Sequence, residues 1–325
     1  MGYIAKGAVR GLSKALDNLV LLTLFVIFLF AGYSLYDSHL VFQAADVTRF
    51  ETYKPTKEDS LSFNELRAVN PDVISWLTVY DTGIDYPVLR SPHSNDDYLS
   101  RNPLGEVQAS GSLFLDHRNA SDFSDHNTII FGHHMAGGVM FGDLDRFLEE
   151  DFFDIHRYGN LFLAGQNRGL EFYAMLVVDA HETNIYRVPS VSEDAYRQYL
   201  QFIDTHAKYR RETAVTEEDR IVLLSTCSAD ITNGRYILVG KLLDREVPDP
   251  FPKESEDQSL LRRIDVFNWL DTVGLFPIWR WYLGVLLAIL ITTALWRLEH
   301  HRYRRAKARR AARQSRKPHA KETNP

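Results

Sequence analysis

The sequence predicts a mainly β domain of about eight short strands, a barrel or a sandwich, carried between two membrane-spanning segments. Three observations predict it. Between Val73 and Leu243, short apolar runs alternate with turn signals at the spacing of all-β domains. Leu19 to Tyr36 is an uninterrupted run without charge, about the length that crosses a bilayer core of roughly 30 Å. Trp281 to Trp296 is a second apolar run, and a strongly basic stretch comes after it.

Lys6, Arg10 and Lys14 precede the first run, while Asp37 and His39 come directly after it. By the positive-inside rule, residues 1–18 stay in the cytoplasm, residues 19–36 cross, and the chain from residue 37 onward lies outside. The run is too long for a signal-peptide core and has no convincing small-residue cleavage site, so it reads as an uncleaved anchor. Residues 37–60 are polar and suit a stalk. Phe63, Leu66 and Val69 then repeat near helical spacing until Asn70-Pro71 stops the segment.

The strands come next, in order. Ile74–Tyr80 and Ile84–Leu89 flank the turn Asp81-Thr82-Gly83, and Gly111–Asp116 and Asn127–Gly132 are two more. A helix is expected near Met140, with Phe141, Leu144 and Phe147 on one side. Asn160–Ala164 and Leu170–Val178 read as a hairpin around Gly165–Gly169. Tyr196, Tyr199, Leu200 and Ile203 share one helical face, and Ser190 with Glu193 has capping-box spacing at its start. Arg220–Thr226 and Tyr236–Leu243 complete the set. The outside module is thus residues 61–245, ordinary for one domain.

Pro248, Pro250 and Pro252 open a linker, residues 246–276. Leu260, Leu261, Ile264, Phe267 and Leu270 form an amphipathic stripe within it. The stripe suits the membrane surface or a helix packed on the domain, and both readings stand. Residues 277–297 are read as the second transmembrane helix, and residues 298–325 as a basic cytoplasmic tail that orients it and meets anionic lipid.

The formal charge of −6 hides a division: residues 1–36 carry +2, residues 275–325 carry +10, and residues 37–274 carry −18. An external domain of that sign repels polyanions, which argues against nucleic acid and biases it toward basic or amine-bearing partners.

The chain has one cysteine, Cys227, at the end of the apolar run Ile221–Thr226. An oxidising exterior normally uses cysteines in pairs, so a lone one is either a buried bystander or a nucleophile. A nucleophile needs a partner that takes its proton, usually histidine. Of twelve histidines, His133 has the most suggestive setting, after the apolar strand Thr128–Phe131 and the permissive Gly132. Arg235 begins the strand after Cys227, where a hairpin-like return would bring a permanent positive charge to the thiol. No metal or other cofactor is expected. Adjacent His133 and His134 do not readily share one ion, and neither an H-E-x-x-H motif nor a cysteine pair is present.

Chain order separates the cysteine-enzyme classes. Here histidine precedes cysteine, unlike the papain order, and the caspase signature is absent. The pattern Ile129-Ile-Phe-Gly-His133, Leu223-Leu-Ser-Thr-Cys227 and Arg235 resembles the sortases, cysteine transpeptidases of the Gram-positive surface. Asn70–Trp76, Ile84–Val88, Gly111–Asn119 and Met140–Leu144 resemble class B members, and the resemblance spans about residues 60–245. It implies a closed eight-stranded β-barrel with peripheral helices. It also implies Cys227 as nucleophile, His133 as general acid/base and Arg235 as oxyanion and substrate anchor. Ser225 and Thr226, flanking the nucleophile, are candidate substrate contacts or plain strand residues. The implied partners are secreted proteins with a C-terminal sorting motif and an amine acceptor from a cell-wall precursor or a pilin. Two departures stand out: the second apolar run is more usual in class C, and Ser228 replaces an acidic residue common in class B.

Two other readings belong to different classes. A membrane-bound cysteine peptidase would share the acyl-enzyme and use water. A non-catalytic pilus-assembly scaffold would need no thiolate. The chain itself is not a sorting substrate by its motifs, because Leu275–Arg280 has neither an L-P-x-T-G nor an N-P-x-T-N pattern.

Overall fold

The computed structural model describes residues 2–56, 61–187, 192–227 and 233–251. Its β-structure comprises β1 (Val73–Val79), β2 (Asp85–Leu89), β3 (Leu113–Leu115), β4 (Asn127–Phe131), β5 (Tyr158–Leu163), β6 (Gln166–Asp179), β7 (Ala207–Arg210), β8 (Arg220–Cys227) and β9 (Gly234–Leu242). The order is β5-β1-β2-β3-β4-β8-β9-β6-β7, and β5 also pairs with β6. That last pairing closes eight strands into a barrel and leaves β7 as a ninth, outside the ring. The fold is therefore the expected closed eight-stranded barrel, with a mixture of parallel and antiparallel pairs.

The long apolar runs are explained by burial on both faces. Along β8, Val222 and Leu224 enter the barrel interior with Leu77, Val88, Leu113 and Leu238. Ile221 and Leu223 point the other way and pack with Ile129, Ile237, Val239 and the helix α4 (Glu193–His206). Side chains alternate faces, so only a strand covered on both sides needs an unbroken apolar run. Helix α4 supplies the cover with Tyr196, Tyr199 and Ile203, all buried. A third cluster joins Phe63 and Leu66 of helix α2 (Leu61–Val69) to Trp76, Phe114 and Phe162.

Several local expectations are corrected. The β5–β6 connection is the two-residue turn Ala164-Gly165, with φ of 51° and 80°. Gln166–Gly169, expected as loop, are paired with β5. The segment after Met140 is a 3₁₀ helix, Gly142–Leu148, followed by the short α3 (Glu150–Ile155). Spacing of three between Phe141, Leu144 and Phe147 fits three residues per turn, and all three are buried. Ser192 caps α4, accepting from the Ala195 N–H at 3.2 Å, and Ser190 lies outside the described residues. The strand β7 comes directly after α4, with no turn signal to mark it.

Helix α1 (Gly2–Ala45) contains the first apolar run and continues through residues 37–45. Among the described residues it holds the one segment, Ser13–Ala45, long and apolar enough to cross a membrane. The second apolar run, the amphipathic stripe and the basic tail lie outside the described residues.

Candidate active site

Strand pairing brings the three sequence-predicted residues to one rim of the barrel. β4 and β8 are parallel, with Phe131 level with Ser225, and the Gly132 N–H donates to the Ser225 carbonyl at 3.2 Å. His133 and Cys227 each lie two residues beyond that pair, on chains that neighbouring strands hold about 4.8 Å apart. β8 and β9 are antiparallel, and Cys227 pairs directly with Arg235. Gly132 is required where it stands, because a Cβ there would collide with Leu113 and Phe141.

Beside this rim lies a groove of about 330 Å³ that includes His133, Ser225, Thr226 and Arg235 in its wall. Leu99, Phe114, Phe131 and Tyr186 make the rest of the wall largely apolar, with Asn95, Asp116 and Arg118 at its polar end. The sequence singled out none of these groove residues for binding. Asp116 and Arg118 sit in a segment noted for its family resemblance, whereas Tyr186 carries no local signal at all.

His133 is half-buried and its Nε2 lies 2.8 Å from the Leu99 carbonyl. A carbonyl only accepts, so Nε2 carries a proton and Nδ1 is the position left to exchange one. His134 faces elsewhere: its Nε2 is 3.3 Å from the Asp145 carboxylate and its ring meets Tyr236 edge-on. Arg235 is half-buried and donates to the Gly234 carbonyl at 3.0 Å. Ser225 is buried and lies 3.2 Å from the Tyr186 hydroxyl. Thr226 is also buried, and its hydroxyl has no protein partner among the described residues. Ser228 lies outside the described residues.

The polar end of the groove is held by a fork. Asp116 is fully buried and accepts from Arg118 Nε at 2.9 Å and Nη2 at 2.6 Å. Burial pushes its carboxyl up, but hydrogen bonds and charge from Arg118, with help from Asn95, hold it below the ordinary value. A depressed folded pKa means stability present above the unfolded value of about 3.9 and lost as pH falls through the folded value. Arg118→Met is expected to cost about 1–2 kcal/mol at pH 7, discounted for the exposed guanidinium. In urea unfolding, the gap from wild type should hold down to pH ~4 and close below it.

Comparison with known proteins agrees with this architecture. Residues 77–243 match the sortase domain. Sortase B of Listeria monocytogenes is 36% identical over 187 residues, covering 56% of this chain and 74% of that protein. Among solved structures, sortase B from the type II pilus of Streptococcus pneumoniae is 43% identical, with a TM-score of 0.50, over 56% of this chain and 99% of that one. A Streptococcus pyogenes class B sortase involved in pilus biogenesis is 37% identical, with a TM-score of 0.51, over 55% and 97%. With the closed barrel and the rim already in place, these matches show that the chain belongs to the sortase family of cysteine transpeptidases and resembles its class B members.

Proposed function

We propose that this chain is a membrane-anchored transpeptidase that cleaves a sorting motif in secreted surface proteins and passes the acyl group to an amine. The observation that carries the reading is the strand register, which brings His133, Cys227 and Arg235 to one rim beside an apolar groove. The Cys227 thiolate attacks the threonine carbonyl carbon of the motif, and the oxyanion leans on Arg235. His133 gives its proton to the departing amine as the peptide bond breaks, leaving a thioester. An incoming amine attacks that thioester, His133 takes the amine's proton, and the thiolate departs. Ser225 and Thr226 contact the bound peptide from the groove wall.

Helix α1 serves as the anchor, with the barrel outside the cell and both termini in the cytoplasm. The acceptor is an amine of a cell-wall precursor or a pilin lysine. The similar Streptococcus pneumoniae sortase B comes from a type II pilus and the Streptococcus pyogenes one is involved in pilus biogenesis, which favours the pilin. The acidic module suits such a cationic acceptor.

Product masses test the reading. The full chain is incubated with a panel of sorting peptides, with and without an amine nucleophile. Amide product should replace hydrolysis product as the amine concentration rises. Hydrolysis alone, at every amine concentration, would make the chain a peptidase.

A further inference from the structure

The end of α1 is built into the barrel. Ala45 is fully buried in the interior cluster. The Tyr86 hydroxyl donates to the Ala45 carbonyl at 3.2 Å, and the Gln108 amide donates to the Ala44 carbonyl at 2.7 Å. A helix C-terminus leaves just such carbonyls unpaired, so these two side chains complete it. Beyond the helix, Phe50 is buried and the Lys54 ammonium lies 2.5 Å from Asp85.

These attachments share one end of the barrel with the candidate site. Asp85 and Tyr86 begin β2, which runs parallel to β3. β3 is antiparallel to β4, and β4 is parallel to β8. The start of β2 therefore lies at the end where β4 and β8 finish and β9 begins. Two ties make the proximity direct. The Tyr86 hydroxyl also accepts from the Met140 N–H at 3.2 Å, and the Phe141 N–H closes the same loop on the His133 carbonyl at 3.0 Å. On the other side, the Gln108 N–H donates to the Ser100 carbonyl, next to the Leu99 carbonyl that holds His133.

The segment leaving β9 returns to this end as well. The Tyr80 hydroxyl donates to the Val247 carbonyl at 2.6 Å, and Phe251 stacks on His156 with 4.8 Å between ring centres. Leu99 and Val107, 40% and 79% exposed, are the large apolar side chains presented by the β2–β3 loop that receives α1.

We propose that the rim carrying His133, Cys227 and Arg235 is the bilayer-facing pole of the barrel, held at the lipid surface by the docked end of α1. The proposal rests on reading α1 as a membrane anchor. With Tyr36 at the edge of the hydrocarbon, the nine residues to Ala45 extend about 13 Å outward at 1.5 Å each. The headgroup layer takes up about 5–7 Å of that, so the rim stands within several ångströms of it. The far pole lies about 20 Å further out, the length of a seven-residue strand. The net charge of −18 over residues 37–274 gives no attraction to anionic lipid, so the packed helix end must supply the orientation.

The test uses the full chain with Cys227→Ala, so that a single introduced thiol carries a fluorophore. Leu24→Cys probes the anchor, Val107→Cys the rim and Gln166→Cys the far pole. Each is placed in phosphatidylcholine–phosphatidylglycerol vesicles containing nitroxide lipid. Headgroup nitroxide should quench the Val107 label at least twofold and leave the Gln166 label unchanged. Quenching at Gln166 equal to or greater than that at Val107 would overturn the orientation. A Leu24 label untouched by acyl-chain nitroxide would instead overturn the anchor reading beneath it. Twenty Gly/Ser residues inserted between Asp37 and Ser38 should bring Val107 quenching down to the Gln166 level. Undiminished quenching would mean that the rim, and not the helix, does the holding.

Discussion

Cys227→Ala is expected to abolish acyl transfer from a sorting peptide, a loss on the order of 10⁴-fold or more, while the fold survives. The chemistry is lost because no other cysteine exists in the chain to form the thioester. The fold survives because the β8–β9 pairing at Cys227 and Arg235 is made by the main chain, which alanine keeps. The thermal midpoint should stay within about 4 °C of wild type, the range of a change near 1 kcal/mol. Transfer at wild-type rate in this variant would remove the nucleophile assignment, and a collapsed midpoint would make Cys227 structural.

The second large effect separates two neighbouring histidines. His133→Ala should lower kcat/KM by about 10²–10⁴, the usual contribution of a positioned general acid/base. His134→Ala should act on stability, because that ring packs against Tyr236 and sits by Asp145. Single-turnover acylation with thermal unfolding on both variants reads the difference. If His134→Ala were the slow enzyme and His133→Ala the unstable one, the two roles would be exchanged. The geometry favours the stated order, since His133 lines the groove and lies two residues past the Phe131–Ser225 pair, as Cys227 does on β8.

Much of the barrel was legible because its strands announce themselves on two scales. β8 and β9 contain the unbroken apolar runs Ile221–Leu224 and Tyr236–Val239, which fits strands covered inside by barrel residues and outside by α4. The β1–β2 turn has Asp81-Thr82-Gly83, and the structure places Asp81 at positive φ there. The misread places share a cause. Gln166–Gly169 look like loop because they are polar and glycine-rich, yet they pair with β5 across a turn that begins at Ala164, a residue rarely found at positive φ. β7 has the composition Ala-Lys-Tyr-Arg and gains its strand character only from the β6 edge it joins. Tertiary pairing, not local propensity, decides both.

The candidate site divides in the same way. His133 and Arg235 were found because each sits beside a strand that could be read, and strand register then fixes their neighbourhood. The Leu99 carbonyl and Tyr186 were invisible. Their contribution is a main-chain oxygen 34 residues from His133 and a hydroxyl 39 residues from Ser225, neither of which leaves a mark in local sequence. The docked end of α1 was hidden for a related reason. Ala44 and Ala45 look ordinary in a polar segment, and their carbonyls find partners only at Gln108 and Tyr86.

The most direct measurement is to map the acyl adduct. The full chain is mixed with a sorting peptide, quenched within one turnover, digested, and each fragment is weighed. The mass of the motif's acyl half should appear on the fragment containing Cys227, and vanish when an amine is added before quenching, with amide product formed in equal amount. Product formation with the adduct on any other residue, or with no adduct at any time, would contradict acyl transfer through Cys227.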